Sequence, residues 1–126
     1  MPATFSVEFK GDYVEIHSDG DKDLKYALRL LAEAIATCRE HDCHRILGLA
    51  NTTSPLDVVD GFDLAKMFKE LGMPPTTRIA WVEPNPDGFE VIRFVETVLY
   101  NRSIAAFKAF EDELAAREWL FSNRGI

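Results

Sequence analysis

Arg45-Ile46-Leu47-Gly48-Leu49-Ala50-Asn51-Thr52-Thr53-Ser54-Pro55-Leu56-Asp57 is the stretch whose reading decides the fold. Its first six residues form an apolar run of strand length, suited to burial on both faces. The run passes into the polar segment Asn51 to Pro55, read as a loop, and then into helix-start signals. Ser54 suits an N-cap, Pro55 the first helical position, and Asp57 a helix N-terminus, whose unpaired N–H groups favour a negative charge. A strand that empties through a hydroxyl-rich loop onto a helix start is a common ligand position in α/β proteins.

The residues upstream supply a hairpin and a helix. Phe5-Ser6-Val7-Glu8-Phe9 and Tyr13-Val14-Glu15-Ile16-His17 alternate apolar and polar around the turn Lys10-Gly11-Asp12. That pattern predicts an antiparallel pair with one buried face. His17 to Asp23 reads as a loop, and Leu24, Leu28, Leu31, Ile35 and Cys38, widened by Ala27 and Ala34, repeat at helical spacing.

Downstream, Leu64, Met67, Phe68 and Leu71 mark a second helix, with Asp60-Gly61-Phe62-Asp63 as a second possible start. Gly72 and Pro74-Pro75 close it. Arg78 to Val82 is the next strand, and Glu83-Pro84-Asn85-Pro86 a rigid loop. Asp87 and Glu90 then have capping-box spacing for a third helix over Gly88 to Asn101. Its apolar face, Val91, Ile92, Phe94, Val95, Val98 and Leu99, is wider than contact with one sheet requires, which points to a partner surface. Ile104 to Phe110 predicts a strand. Glu111-Asp112-Glu113 opens a last helix through Leu120, whose Trp119 and Leu120 lock it on the sheet, and residues 121–126 are expected to fray.

A hairpin followed by alternating helices and strands specifies one α/β domain over residues 1–126: a mixed, mostly parallel sheet of about five strands with about four helices. The expected core includes Val14, Ile16, Leu28, Leu31, Ile35, Ile46, Leu47, Ile79, Val82, Val95 and Trp119.

Composition narrows the function classes. The chain has 126 residues, 47% hydrophobic, and a formal net charge of −7. Binding to a phosphate backbone draws on clustered Lys and Arg, so nucleic acid is an unsuitable partner, as is an anionic membrane surface. No apolar stretch is long enough for membrane insertion. Two closely spaced cysteines and no signal-like N-terminus predict a cytoplasmic protein.

Two clusters resemble metal sites. Asp19, Asp21 and Asp23 begin like a calcium loop, but Leu24 replaces the turn glycine and Leu30 the bidentate glutamate, so a helix cap is the better reading. Cys38, His41, Cys43 and His44 offer zinc-type ligands, yet Cys38 lies on the apolar stripe and the histidines suit a helix end. No metal and no cofactor is expected. The Gly-x-Ser-x-Gly, Walker, Gly-x-Gly-x-x-Gly and His-Glu-x-x-His patterns are all absent, so no catalytic residues are assigned.

Thr77-Arg78-Ile79-Ala80-Trp81-Val82, Asn101-Arg102-Ser103-Ile104, and Phe110-Glu111-Asp112-Glu113 leading to Ala116-Arg117-Glu118-Trp119-Leu120 carry a family likeness. Over nearly its whole length the chain resembles STAS-like, SpoIIAA-like domains, the fold of bacterial anti-sigma-factor antagonists, and especially small STAS/SEC14-type proteins. The resemblance implies a non-catalytic regulatory or protein-binding module. In the antagonists a phosphorylated serine sits at the helix start after the central strand; here that position matches Ser54, within Asn51-Thr52-Thr53-Ser54-Pro55 rather than the family's aspartate-serine motif. The SEC14-type likeness implies instead a carrier of a small apolar, lipid-like ligand, with Phe62, Met67, Phe68, Trp81 and Phe89 as candidate lining. The expected recognition site is Asn51, Thr52, Thr53 and Ser54, with Ser54 the phosphorylation candidate. Phe89, Arg93, Glu96 and Tyr100 form the expected surface of a homodimer.

Overall fold

Val14, Ile16, Ser18 and Gly20 alternate along one strand and are all buried, because that face of the strand is the one the helices cover. The computed structural model describes residues 2–122, in the order β1 (Thr4–Phe9), β2 (Val14–Asp21), α1 (Leu24–Glu40), β3 (Arg45–Ser54), α2 (Val58–Glu70), β4 (Arg78–Val82), α3 (Pro86–Asn101), β5 (Ala106–Phe110) and α4 (Glu113–Leu120). The strands lie in sequence order, β1-β2-β3-β4-β5. β1 is antiparallel to β2, and every later pairing is parallel. This is the mixed five-stranded α/β sheet with four helices that the alternation of periods predicts.

Because the order never reverses, right-handed crossovers bring α1, α2 and α3 to one face. There Ile46, Ile79, Val14 and Ile16 meet Leu30, Leu31, Ala34, Ile35, Phe68 and Val95. The opposite face belongs to α4, where Leu47, Ala80 and Val82 pack on Ala116 and Leu120. Arg117 ties α4 to the hairpin by donating to the Tyr13 hydroxyl and to Glu15 (both 3.3 Å), and is held in place by a bond to Glu113 one turn earlier on α4 (2.8 Å). Arg78 donates to the Ser122 carbonyl at 2.7 Å and lies over the Trp119 ring at 4.8 Å.

Several local expectations are corrected. β2 runs on through Asp21 and β3 through Ser54, because the two pair beyond the apolar runs: Asp19 with Asn51, Gly20 with Thr52 and Asp21 with Ser54. Asn51 to Ser54 are therefore strand residues, not a loop. Ser54 does not cap α2; Asp57 does, its carboxylate accepting from Asp60 N–H at 2.8 Å. α2 is one helix from Val58, without a second start at Asp60. α3 begins at Pro86 under an Asn85 cap, in place of the Asp87–Glu90 box. β5 starts at Ala106 rather than Ile104.

The buried stripe of α1 is rotated to Tyr26, Leu30, Leu31, Ala34, Ile35 and Cys38, leaving Leu28 half-buried. The rotation follows Tyr26, which stacks edge-on against Phe5 and donates its hydroxyl to the Thr4 carbonyl at 2.9 Å. Trp119 is likewise half-buried, covering the edge of the α4 core. The other predicted core residues are buried. The tail expected to fray lies mostly outside the described residues, at 123–126.

Candidate functional site

The carboxyl ends of β2, β3 and β4 share one rim of the sheet, and β3 overshoots its apolar run to reach it. Thr52, on the helix-covered side of that overshoot, is buried and donates its hydroxyl to Glu83, the residue that follows β4. Glu83 is only 2% exposed. Its second oxygen accepts from Asn85 N–H at 3.3 Å, and the Asn85 side-chain amide donates to the Thr52 carbonyl at 2.8 Å. Asn85 meanwhile caps α3 by accepting from Asp87 N–H at 3.0 Å. Three residues thus tie the end of β3 to the start of α3, and a buried carboxylate has the hydrogen bonds that its burial demands. Gly88 lets the helix approach so closely: a Cβ there would lie 2.8 Å from Glu83 Oε1.

Below this cluster lies a cavity of about 90 Å³ between the sheet and the three crossover helices. Its body is apolar, including Leu30, Ala34, Phe68, Trp81 and Val95, and its polar end carries Ser18, Lys22, Tyr26, Thr52 and Glu83. Ser18 and Tyr26 satisfy one another, hydroxyl to hydroxyl, at 2.8 Å. Lys22 differs. Its backbone N–H donates to the Ser54 carbonyl at 2.7 Å, anchoring the link into α1, but its buried Nζ has no hydrogen-bond partner among the described residues. Burial holds the Lys22 pKa below its ordinary value, opposed by the charges of Glu83, Asp19 and Asp21.

The four residues expected to form the recognition site divide by the strand's period of two. Thr52 faces the cavity, whereas Asn51 and Thr53 are exposed, and Ser54 is exposed at the strand end. Thr53 donates to Asp21 at 2.5 Å, a bond that lowers the Asp21 pKa. Of the expected apolar lining, Phe68 and Trp81 lie on the cavity wall; Phe62, Met67 and Phe89 pack outside it. The sequence reading missed Lys22 and Glu83. The available signal was a carboxylate directly after a buried strand, held by a proline-rich loop.

The expected dimer surface is partly engaged within the chain. α3 packs on both α2 and β5, which accounts for the width of its apolar face. Glu96 accepts from Ala109 N–H at 2.7 Å on the edge strand β5, and Arg93 lies 5.9 Å from the Phe89 ring centre. Arg93 and Tyr100 are exposed, Tyr100 to 80%.

Neither metal-like cluster assembles. Asp19 and Asp21 lie on β2 and Asp23 caps α1, accepting from Tyr26 N–H at 2.8 Å. His41 stacks on Phe9 at 4.0 Å, His44 bonds Thr76 at 3.0 Å, and burial pushes the Cys38 thiol up to about 12. Among the described residues, no three metal-ligating side chains come together. Nor is any described helix long and apolar enough to cross a membrane.

No family model and no curated protein matches the sequence. The fold matches a solved structure: an uncharacterized DUF3478-family protein with a SpoIIAA-like fold from Shewanella loihica PV-4, 20% identical, with a TM-score of 0.52. The match covers 94% of this chain and 93% of that one. The chain has a SpoIIAA-like fold.

Proposed function

We propose that this chain is a non-catalytic regulatory domain that takes a small apolar ligand between its sheet and its crossover helices. The observation that carries the reading is the cavity itself, which is apolar in its body and ends in buried Thr52 and Glu83 and the buried Nζ of half-buried Lys22. Apolar walls with a few convergent polar groups are the usual make-up of a small-molecule site. A structural void of this size would instead be a defect costing stability. Cyclopentane tests the reading as a probe. Titration should shift methyl resonances of Leu30, Ile79 and Val95, and Ala34→Phe, which fills the cavity, should abolish those shifts. Shifts absent from wild type, or unchanged in a folded Ala34→Phe, defeat the reading.

A second reading, contact with a protein partner at the β3–α2 junction, has its own observation. Val58 and Val59 are 55% and 69% exposed beside Asn51, Thr53 and Ser54. Neighbouring exposed valines next to a polar strand end form a small docking patch. A purified partner that binds Val59→Asp as tightly as wild type removes this patch from the contact.

A further inference from the structure

Lys22 gives the cavity a chemical preference. We propose that its ligand is a neutral molecule of about four to six carbons whose one acceptor oxygen, a carbonyl or hydroxyl, takes a hydrogen bond from Lys22 Nζ. This deepens the ligand-binding reading above and rests on it.

Three observations lead there. The first is the state of the polar groups at the cavity's end. Ser18 bonds Tyr26, Tyr26 donates to the Thr4 carbonyl, Thr52 donates to Glu83, and Glu83 accepts from Asn85 as well. Lys22 Nζ lies 5.0 Å from the centre of the Tyr26 ring and has no hydrogen-bond partner among the described residues. An ammonium carries three donors and no acceptor, and leaving them unmet under burial is costly. A ligand that fits this end therefore presents an acceptor.

The second observation is charge. Asp19, Asp21 and Glu83 all act on the Lys22 ammonium, so its surroundings are already rich in carboxylates. An anionic head would face all three, whereas a neutral oxygen accepts from Nζ without that repulsion. The third is size. The cavity measures about 90 Å³, and an apolar cavity of about 150 Å³ admits benzene. A compact body fills this volume.

Cyclopentane, cyclopentanone and cyclopentanecarboxylate share one apolar body and differ only in the head, so they separate the alternatives. Dissociation constants come from resonance shifts in wild type and in Lys22→Met, which keeps the stem and removes the donor. Wild type should bind cyclopentanone about tenfold or more tightly than cyclopentane, the worth of one hydrogen bond from a charged donor. Lys22→Met should bind the two alike. The wild-type comparison stands alone if Lys22→Met does not fold. Equal binding of ketone and hydrocarbon by wild type overturns the role of Lys22 and leaves the apolar cavity as a site. Tighter binding of the carboxylate than of the ketone overturns the neutral head. Binding of none of the three by wild type overturns this proposal together with the reading beneath it.

Discussion

Gly48 sits at the middle of β3, directly beside Trp81 of β4, and the indole lies across it. A Cβ at position 48 would stand 2.0 Å from Trp81 Cε3, 2.3 Å from Cζ3 and 2.6 Å from Cδ2. Contacts with three ring atoms are relieved only by moving the whole ring, so Gly48→Ala should displace Trp81. Overpacking of a core typically costs about 1–3 kcal/mol. Alanine restricts the unfolded chain more than glycine does, which returns about 0.4–1 kcal/mol. The cavity beside Trp81 also gives the ring somewhere to go, so a net loss of about 1–2 kcal/mol is expected. Urea unfolding followed by far-UV circular dichroism reads this directly; with a slope of about 2 kcal/mol/M, the midpoint should fall by about 0.5–1 M. Pairing with Trp81→Val removes the obstacle, and the double-mutant cycle should show a coupling of about 1 kcal/mol or more. The reasoning would be falsified if Gly48→Ala matched wild type in stability, or if the two substitutions were additive.

Four further outcomes follow from the same geometry. Asp57→Ala should destabilise by about 0.5–2 kcal/mol through loss of the α2 cap, while Ser54→Ala stays within about 0.5 kcal/mol; the reverse ranking of urea midpoints would restore the serine as the cap. Leu31→Ala should cost about 2–5 kcal/mol and the half-buried Leu28→Ala clearly less, and equal losses would refute the rotated face of α1. Lys22→Met should stabilise the fold near neutral pH by removing a buried ammonium that has no hydrogen-bond partner among the described residues. The Lys22 pKa is lowered on folding, so the cost of charging it is present in full below the folded value and relieved as pH rises towards the ordinary 10.5. The advantage of Lys22→Met in chemical unfolding should therefore shrink with rising pH, and a constant gap would show that Lys22 titrates normally. If exposed Tyr100 and its neighbours on α3 pair two copies of the chain, sedimentation equilibrium at micromolar concentration will give a dimer that Tyr100→Asp dissociates; a wild-type monomer ends that proposal.

The sequence by itself determined the elements and their alternation. Each element carries its own period: alternation in Phe5 to Phe9 and Tyr13 to His17, a helical stripe from Leu31 to Cys38, and an unbroken apolar run in Arg45 to Ala50. Short parallel crossovers have one hand, but they put three helices on one face only because the strand order runs without reversal, which the structure decided. The tertiary structure alone decided where β2 and β3 stop. Asp19, Gly20, Asp21 and Asn51 are poor strand formers locally, and they become strand because each meets a partner across the sheet. That extension moved the cap from Ser54 to Asp57 and turned Thr52 inward to Glu83. The cavity was equally illegible. Phe68 and Trp81 read as core, as most such residues are, and only the packing of α1, α2 and α3 over the sheet leaves a space between them. Lys22 looks like an ordinary solvated lysine between two aspartates, until the bond from its N–H to Ser54 carries its side chain beneath the rim. Periodicity records which face of an element is apolar; the distance between two such faces, and which polar group is trapped there, arise from contacts between residues far apart in the chain.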